Sequence, residues 1–81
     1  MDSLCTLCDI RPGERGVVCS LQNESSMRRR LQDIGLIENT EVECLGRSPM
    51  GDPSAYLIRG AVIAIRAEDG RHILLHPSAG E

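Results

Sequence analysis

The chain of 81 residues has no Phe, no Trp and a single tyrosine, Tyr56. Its core must therefore be aliphatic, and a surface that stacks nucleic-acid bases on aromatic rings is excluded. Lysine is also absent, so all nine basic residues are Arg. The net charge of −3 is not the basic balance of a general nucleic-acid binder. No apolar run approaches the roughly 20 residues that span a bilayer. The start, M-D-S-L-C-T-L-C-D, has neither the basic nor the apolar region of a signal peptide. These absences predict a cytoplasmic protein with no direct membrane insertion and no nucleic-acid partner. Nucleotide-binding glycine motifs and the G-x-S-x-G of hydrolases are missing as well. A binding module is expected rather than an enzyme.

What is present fits one small domain over residues 1–76, with residues 77–81 expected to fray. Chains of this size often lean on a partner or on a homo-oligomer. Pro12-Gly13 has turn chemistry. Residues 16–21 alternate with strand period, placing Val17, Cys19 and Leu21 on one face. Residues 23–35 predict a helix, capped by Ser25 or Ser26 and carrying Met27, Leu31 and Ile34 on one apolar stripe. Gly35 supplies a left-handed stop, and Leu36 can fold back on the last turn. Residues 40–47 alternate again, with Val42 and Cys44 facing in. A Pro/Gly-rich loop over 48–53 leads to strands over 55–59 and 61–66, broken at Gly60. The run A-V-I-A-I at 61–65 is apolar on both faces, which predicts a central strand. Residues 67–71 form a turn or one helical turn, and residues 72–76 a last strand. Five or six short strands and one helix suggest a partly open barrel.

The chemistry-bearing residues are few. Cys5 and Cys8 have the C-x-x-C spacing that chelates Zn²⁺ or Fe²⁺ when a turn brings the thiolates together. On a strand they would face opposite ways. His72 and His76 would lie about 13 Å apart on a strand, too far for one ion. Cys19 and Cys44 fit small buried core residues. No resident metal or cofactor is therefore expected. Arg28, Arg29 and Arg30 form the one basic patch. Either Glu24 and Asp33 neutralise Arg28 and Arg29 at i,i+4 spacing, or the patch meets an acidic partner. Asp52 suits a turn cap or a partner contact. Arg66 suits a buried stem with its head on a carboxylate.

Taken in order, several segments resemble the FeoA family. They are Pro12-Gly13, Arg30-Leu31 with Gly35-Leu36, Pro49-Met50-Gly51-Asp52-Pro53, Gly60, and Ala64-Ile65-Arg66. The resemblance covers residues 4–76. It departs at Glu38-Asn39-Thr40, where the family usually has Pro-Gly-Thr; Asn is the non-Gly residue that best tolerates positive φ. The same domain is fused to metal-dependent repressors, whose DNA-binding region this sequence lacks. The resemblance implies a mainly β fold, a small SH3-like partly open β-barrel with one short α-helix. It also implies an accessory role in bacterial ferrous iron uptake, through contact with the cytosolic side of an FeoB-type permease. Arg28, Arg29, Met50 and Asp52 are the candidate partner contacts. The alternative is a small metal-binding sensor or metallochaperone using Cys5, Cys8 and His72 or His76.

Overall fold

In the computed structural model, which describes residues 4–77, the chain forms one antiparallel sheet of six strands. The strands are β1 (Cys5–Thr6), β2 (Arg15–Leu21), β3 (Glu41–Arg47), β4 (Ser54–Ile58), β5 (Ala61–Ile65) and β6 (Ile73–Pro77). Helix α1 (Ser25–Asp33) joins β2 to β3, and the single turn α2 (Ala67–Gly70) joins β5 to β6. A 3-10 turn over Leu7–Asp9 follows β1. The spatial order is β1-β6-β2-β3-β4-β5. The sheet curls without closing, since β1 and β5 end it and do not pair. β6 includes Pro77, and the rest of the expected frayed tail, residues 78–81, lies outside the described residues.

Turn chemistry sets most of the corners. Glu14 N–H donates to Arg11 C=O at 2.8 Å across Pro12 and Gly13, where Gly13 has φ 92°. That is the Pro-then-Gly order of a type II turn. Asn39 adopts φ 72°, so the departure at Glu38-Asn39-Thr40 keeps a left-handed turn. Arg59 and Gly60, at φ 51° and 86°, form a two-residue hairpin loop between β4 and β5. Positive φ at both positions is what a primed turn demands. Arg59 thus lies in the turn, not in the strand expected over 55–59.

α1 ends as expected. Leu36 N–H donates to Leu31 C=O, and Gly35 N–H to Gln32 C=O, each at 3.0 Å. This pair of bonds is the Schellman stop, with Gly35 at φ 107°. The helix start differs from expectation. Its N-cap is Glu24, with no side-chain cap, and both serines lie inside the helix. Leu31 is buried and Met27 half-buried against the core, but Ile34 is 39% exposed. The stripe therefore seats the helix mainly through Leu31.

Two further expectations fail for identifiable reasons. A β-bulge between Val18 and Ser20 makes Cys19 an extra residue opposite β6. The inward phase changes there, so Val18 and Leu21 are buried while Val17 and Cys19 are only half-buried. The 61–65 run is not central: β5 is an end strand with Val62 66% exposed. A two-faced apolar run implies burial only if both faces are covered, and here only Ile65 is buried.

The core is aliphatic apart from Cys44 and Tyr56, the latter only 3% exposed. Leu7, Leu36, Val42, Ile58, Ile73 and Leu75 have no exposed surface, and neither has Cys44. Leu31→Ala is expected to cost roughly 2–5 kcal/mol in urea unfolding. A loss below about 0.5 kcal/mol would place Leu31 at the surface.

Candidate partner-binding surface

Arg28, Arg29 and Arg30 project from the exposed side of α1. The expected pairs Glu24–Arg28 and Asp33–Arg29 do not form. Arg15 and Glu41 instead form an ion pair at 3.9 Å, more than half exposed on both sides. Glu24 instead accepts from the Ser26 hydroxyl through Oε1 at 3.2 Å. The three guanidinium groups are thus without a carboxylate partner among the described residues. Arg66 is exposed and likewise makes no such pair, contrary to the expectation of a buried stem.

The loop over 48–53 carries the other two candidates. Gly51 N–H donates to Ser48 C=O at 2.8 Å, which lifts Met50 to 90% exposure. Asp52 has a structural task. Its Oδ1 accepts the Ala67 N–H at 2.8 Å. Ala67 opens α2, where backbone N–H groups lack intrahelical acceptors, so Asp52 caps that turn from 15 positions away. The loop and α2 are tied together, and Met50 remains the free contact.

The cysteines and histidines do not converge. Cys5 lies on β1 and Cys8 on the 3-10 turn that follows it. Cys8 Sγ donates to Ala67 C=O at 3.4 Å. Burial, and then the Asp9 carboxylate, push both thiols above their ordinary value, with Glu14 also raising Cys5 and Asp52 raising Cys8. The thiolate is the metal-binding form. His72 sits on the turn before β6, one residue short of the strand expected for it, while His76 lies on β6. Among the described residues no three His, Cys, Asp or Glu side chains group as a metal site. No helix of the described residues is long and apolar enough to cross a membrane.

Sequence reasoning missed a groove of ≈ 290 Å³ between α1 and β5. Its one signal in the sequence is the i, i+4, i+7 stripe, whose Met27, Leu31 and Ile34 all line it.

An open, strongly bent sheet of short strands with one helix across it is a small SH3-like, partly open β-barrel. Residues 5–77 match the FeoA domain, and the chain belongs to the FeoA family. The FeoA protein of Chlorobium tepidum is 32% identical over 94% of this chain and 72% of its own, with a TM-score of 0.88. A FeoA-like protein of Clostridium acetobutylicum is 28% identical, with all of this chain and 94% of its own covered, also at 0.88. The Stenotrophomonas maltophilia FeoA shares the fold at 23% identity and TM-score 0.77, over 86% of this chain and 87% of its own. That structure is complexed with zinc, and that protein is described as a prokaryotic SH3 domain and a proposed ferrous iron transport activating factor. No curated protein matches the chain significantly.

Alkaline titration tests the buried polar groups. Burial raises the Tyr56 phenol above its ordinary value, as it raises Cys5 and Cys8. Raised folded values mean that the native state holds protons that the unfolded chain has lost. Stability should hold below about pH 9 and fall as pH rises through the folded values. The single phenolate absorbance should titrate above pH 10 and coincide with loss of structure. A free-tyrosine curve in the folded protein would contradict the burial of Tyr56.

Proposed function

We propose that the chain is a non-enzymatic accessory module of ferrous iron uptake that docks on the cytosolic side of an FeoB-type permease. The supporting observation is the basic patch of Arg28 and Arg29, exposed on α1 and left without a carboxylate partner among the described residues. Membership of the FeoA family supplies the iron connection. The fold gives these arginines no task, and the chain around them carries a net negative charge. Such a local reversal of sign steers an acidic surface and chiefly raises the association rate. Met50 offers a neighbouring class of contact, a flexible apolar side chain in water.

Arg28→Glu/Arg29→Glu is expected to weaken capture by the permease's cytosolic domain about tenfold at low salt. Stability should change by no more than about 0.5 kcal/mol per substitution. The weakening should shrink at 1 M salt, where the Debye length is about 3 Å. Equal affinities at low salt would move the interface to the loop over 48–53.

The metal-sensor reading makes a different prediction. Metal analysis of the purified protein should find less than stoichiometric zinc or iron, unchanged in Cys5→Ser/Cys8→Ser. Near-stoichiometric metal lost in that variant, or unfolding by a chelator, would reverse the assignment.

A further inference from the structure

The outer edge of β5 has no neighbouring strand among the described residues. Its register with β4 is regular over all five pairs, from Ile58↔Ala61 to Ser54↔Ile65. In a hairpin with a two-residue loop the closing pair is hydrogen-bonded, and such pairs alternate along the ladder. Ala61, Ile63 and Ile65 therefore bond to β4, and the N–H and C=O groups of Val62 and Ala64 point outward. Natural edge strands are usually blunted by Lys, Pro, inward charge or a bulge. β5 has none of these; it reads A-V-I-A-I and leaves Val62 66% exposed.

The free edge borders the α1–β5 groove. Met27, Leu31 and Ile34 form its helix wall, and Ile63 and Ile65 its strand wall. Arg30 and Arg66 stand at its rim, with Asp69 as the single carboxylate. An unpaired strand edge beside a helix-lined apolar groove is the arrangement that accepts an extended peptide: backbone bonds give affinity, and alternate side chains enter the groove.

Charge selects the occupant. A second copy pairing antiparallel about Ile63 would set Arg66 opposite Gly60 of that copy, one residue from its Arg59. At both ends of such a pair Arg66 would face no carboxylate, so a second copy offers the rim arginines nothing of opposite sign. An extended segment with carboxylates meets Arg30 and Arg66 with opposite sign.

We propose that the free edge of β5 is a strand-addition site for an extended acidic segment of a partner protein, whose apolar side chains enter the groove under α1. The site stands on β5, α1 and the rim arginines, whichever protein supplies the segment, and so does not depend on the permease reading.

The probe is a synthetic alternating Val-Glu peptide, with an alternating Val-Lys peptide as its counterpart. On adding the Val-Glu peptide, amide exchange at Val62 and Ala64 should slow about tenfold, with Ile63 unchanged. The Val-Lys peptide should bind about tenfold more weakly. Ala64→Pro removes an outward N–H and no ladder bond, so it should leave the amide spectrum of β2, β3 and β6 intact and abolish peptide binding. Should that variant unfold, Arg30→Glu/Arg66→Glu serves instead, and it should reverse the preference between the two peptides. Equal binding of both peptides, or no slowing at Val62 and Ala64, would overturn the proposal. So would protection of those amides that grows with protein concentration in the absence of peptide, which would assign the edge to a second copy.

Discussion

The structure depends on how the gap between β1 and β5 is filled. Six short strands curl far enough to need a core but not far enough to close. The space left between the two end strands is occupied by the 3-10 turn over Leu7–Asp9 and by α2. Three polar bonds hold these pieces. The Tyr56 hydroxyl, on a side chain only 3% exposed, donates to Leu7 C=O at 3.3 Å. Cys8 Sγ reaches Ala67 C=O, and Asp52 accepts the Ala67 N–H. Leu7 is then fully buried at the centre of the plug. A closed barrel would need none of these bonds, because strand pairing would satisfy the same backbone groups.

An aliphatic core has consequences for the strands around it. Without Phe or Trp, closely spaced small and branched side chains must fill the interior to native density. The two bulges serve that end. At Cys19 the extra residue lets Val18 and Leu21 both point inward, three apart rather than two. At Leu45 the same device leaves Cys44 buried and Leu45 42% exposed. Each bulge also increases local twist, and the extra twist helps so few residues curve round one core.

Signals confined to a few neighbouring residues were legible in the sequence. Pro12-Gly13, Gly35-Leu36 and Asn39 each declare a backbone conformation that the residue type itself favours, and all three adopt it. Val42 and Cys44 are buried as their phase predicts because no bulge lies between them. The failures are features set by distant partners. Cys19 left its expected phase because β6 defines the bulge, and nothing in residues 16–21 records it. The 61–65 run looks central because hydrophobicity reports how apolar a strand is, not how many neighbours it has. Asp52 was legible as a turn residue but not as the cap of a helix turn fifteen residues later. The arginine patch was legible as a patch; its lack of carboxylate partners was not, since i,i+4 spacing permits pairing without enforcing it.

The carboxylates and the arginines divide the polar work of the molecule between them. Asp9 accepts from the Thr6 N–H at 2.8 Å, Glu14 from the Arg11 N–H at 2.7 Å, and Asp52 from the Ala67 N–H at 2.8 Å. Each fixes a turn around the open end of the barrel. Their charge persists, but their hydrogen-bonding geometry is committed to the chain's own backbone. Arg28, Arg29, Arg30 and Arg66 have no such commitment on the α1–β5 side. The net charge of −3 thus coexists with a local basic patch on α1. These three carboxylates hold turns of their own backbone, whereas the arginines of α1 keep their planar forks free for charge-assisted bonds. On the α1–β5 side this free basic surface lies beside apolar side chains and beside one of the two end strands of the sheet, so that charge, groove and unfinished strand pairing coincide there.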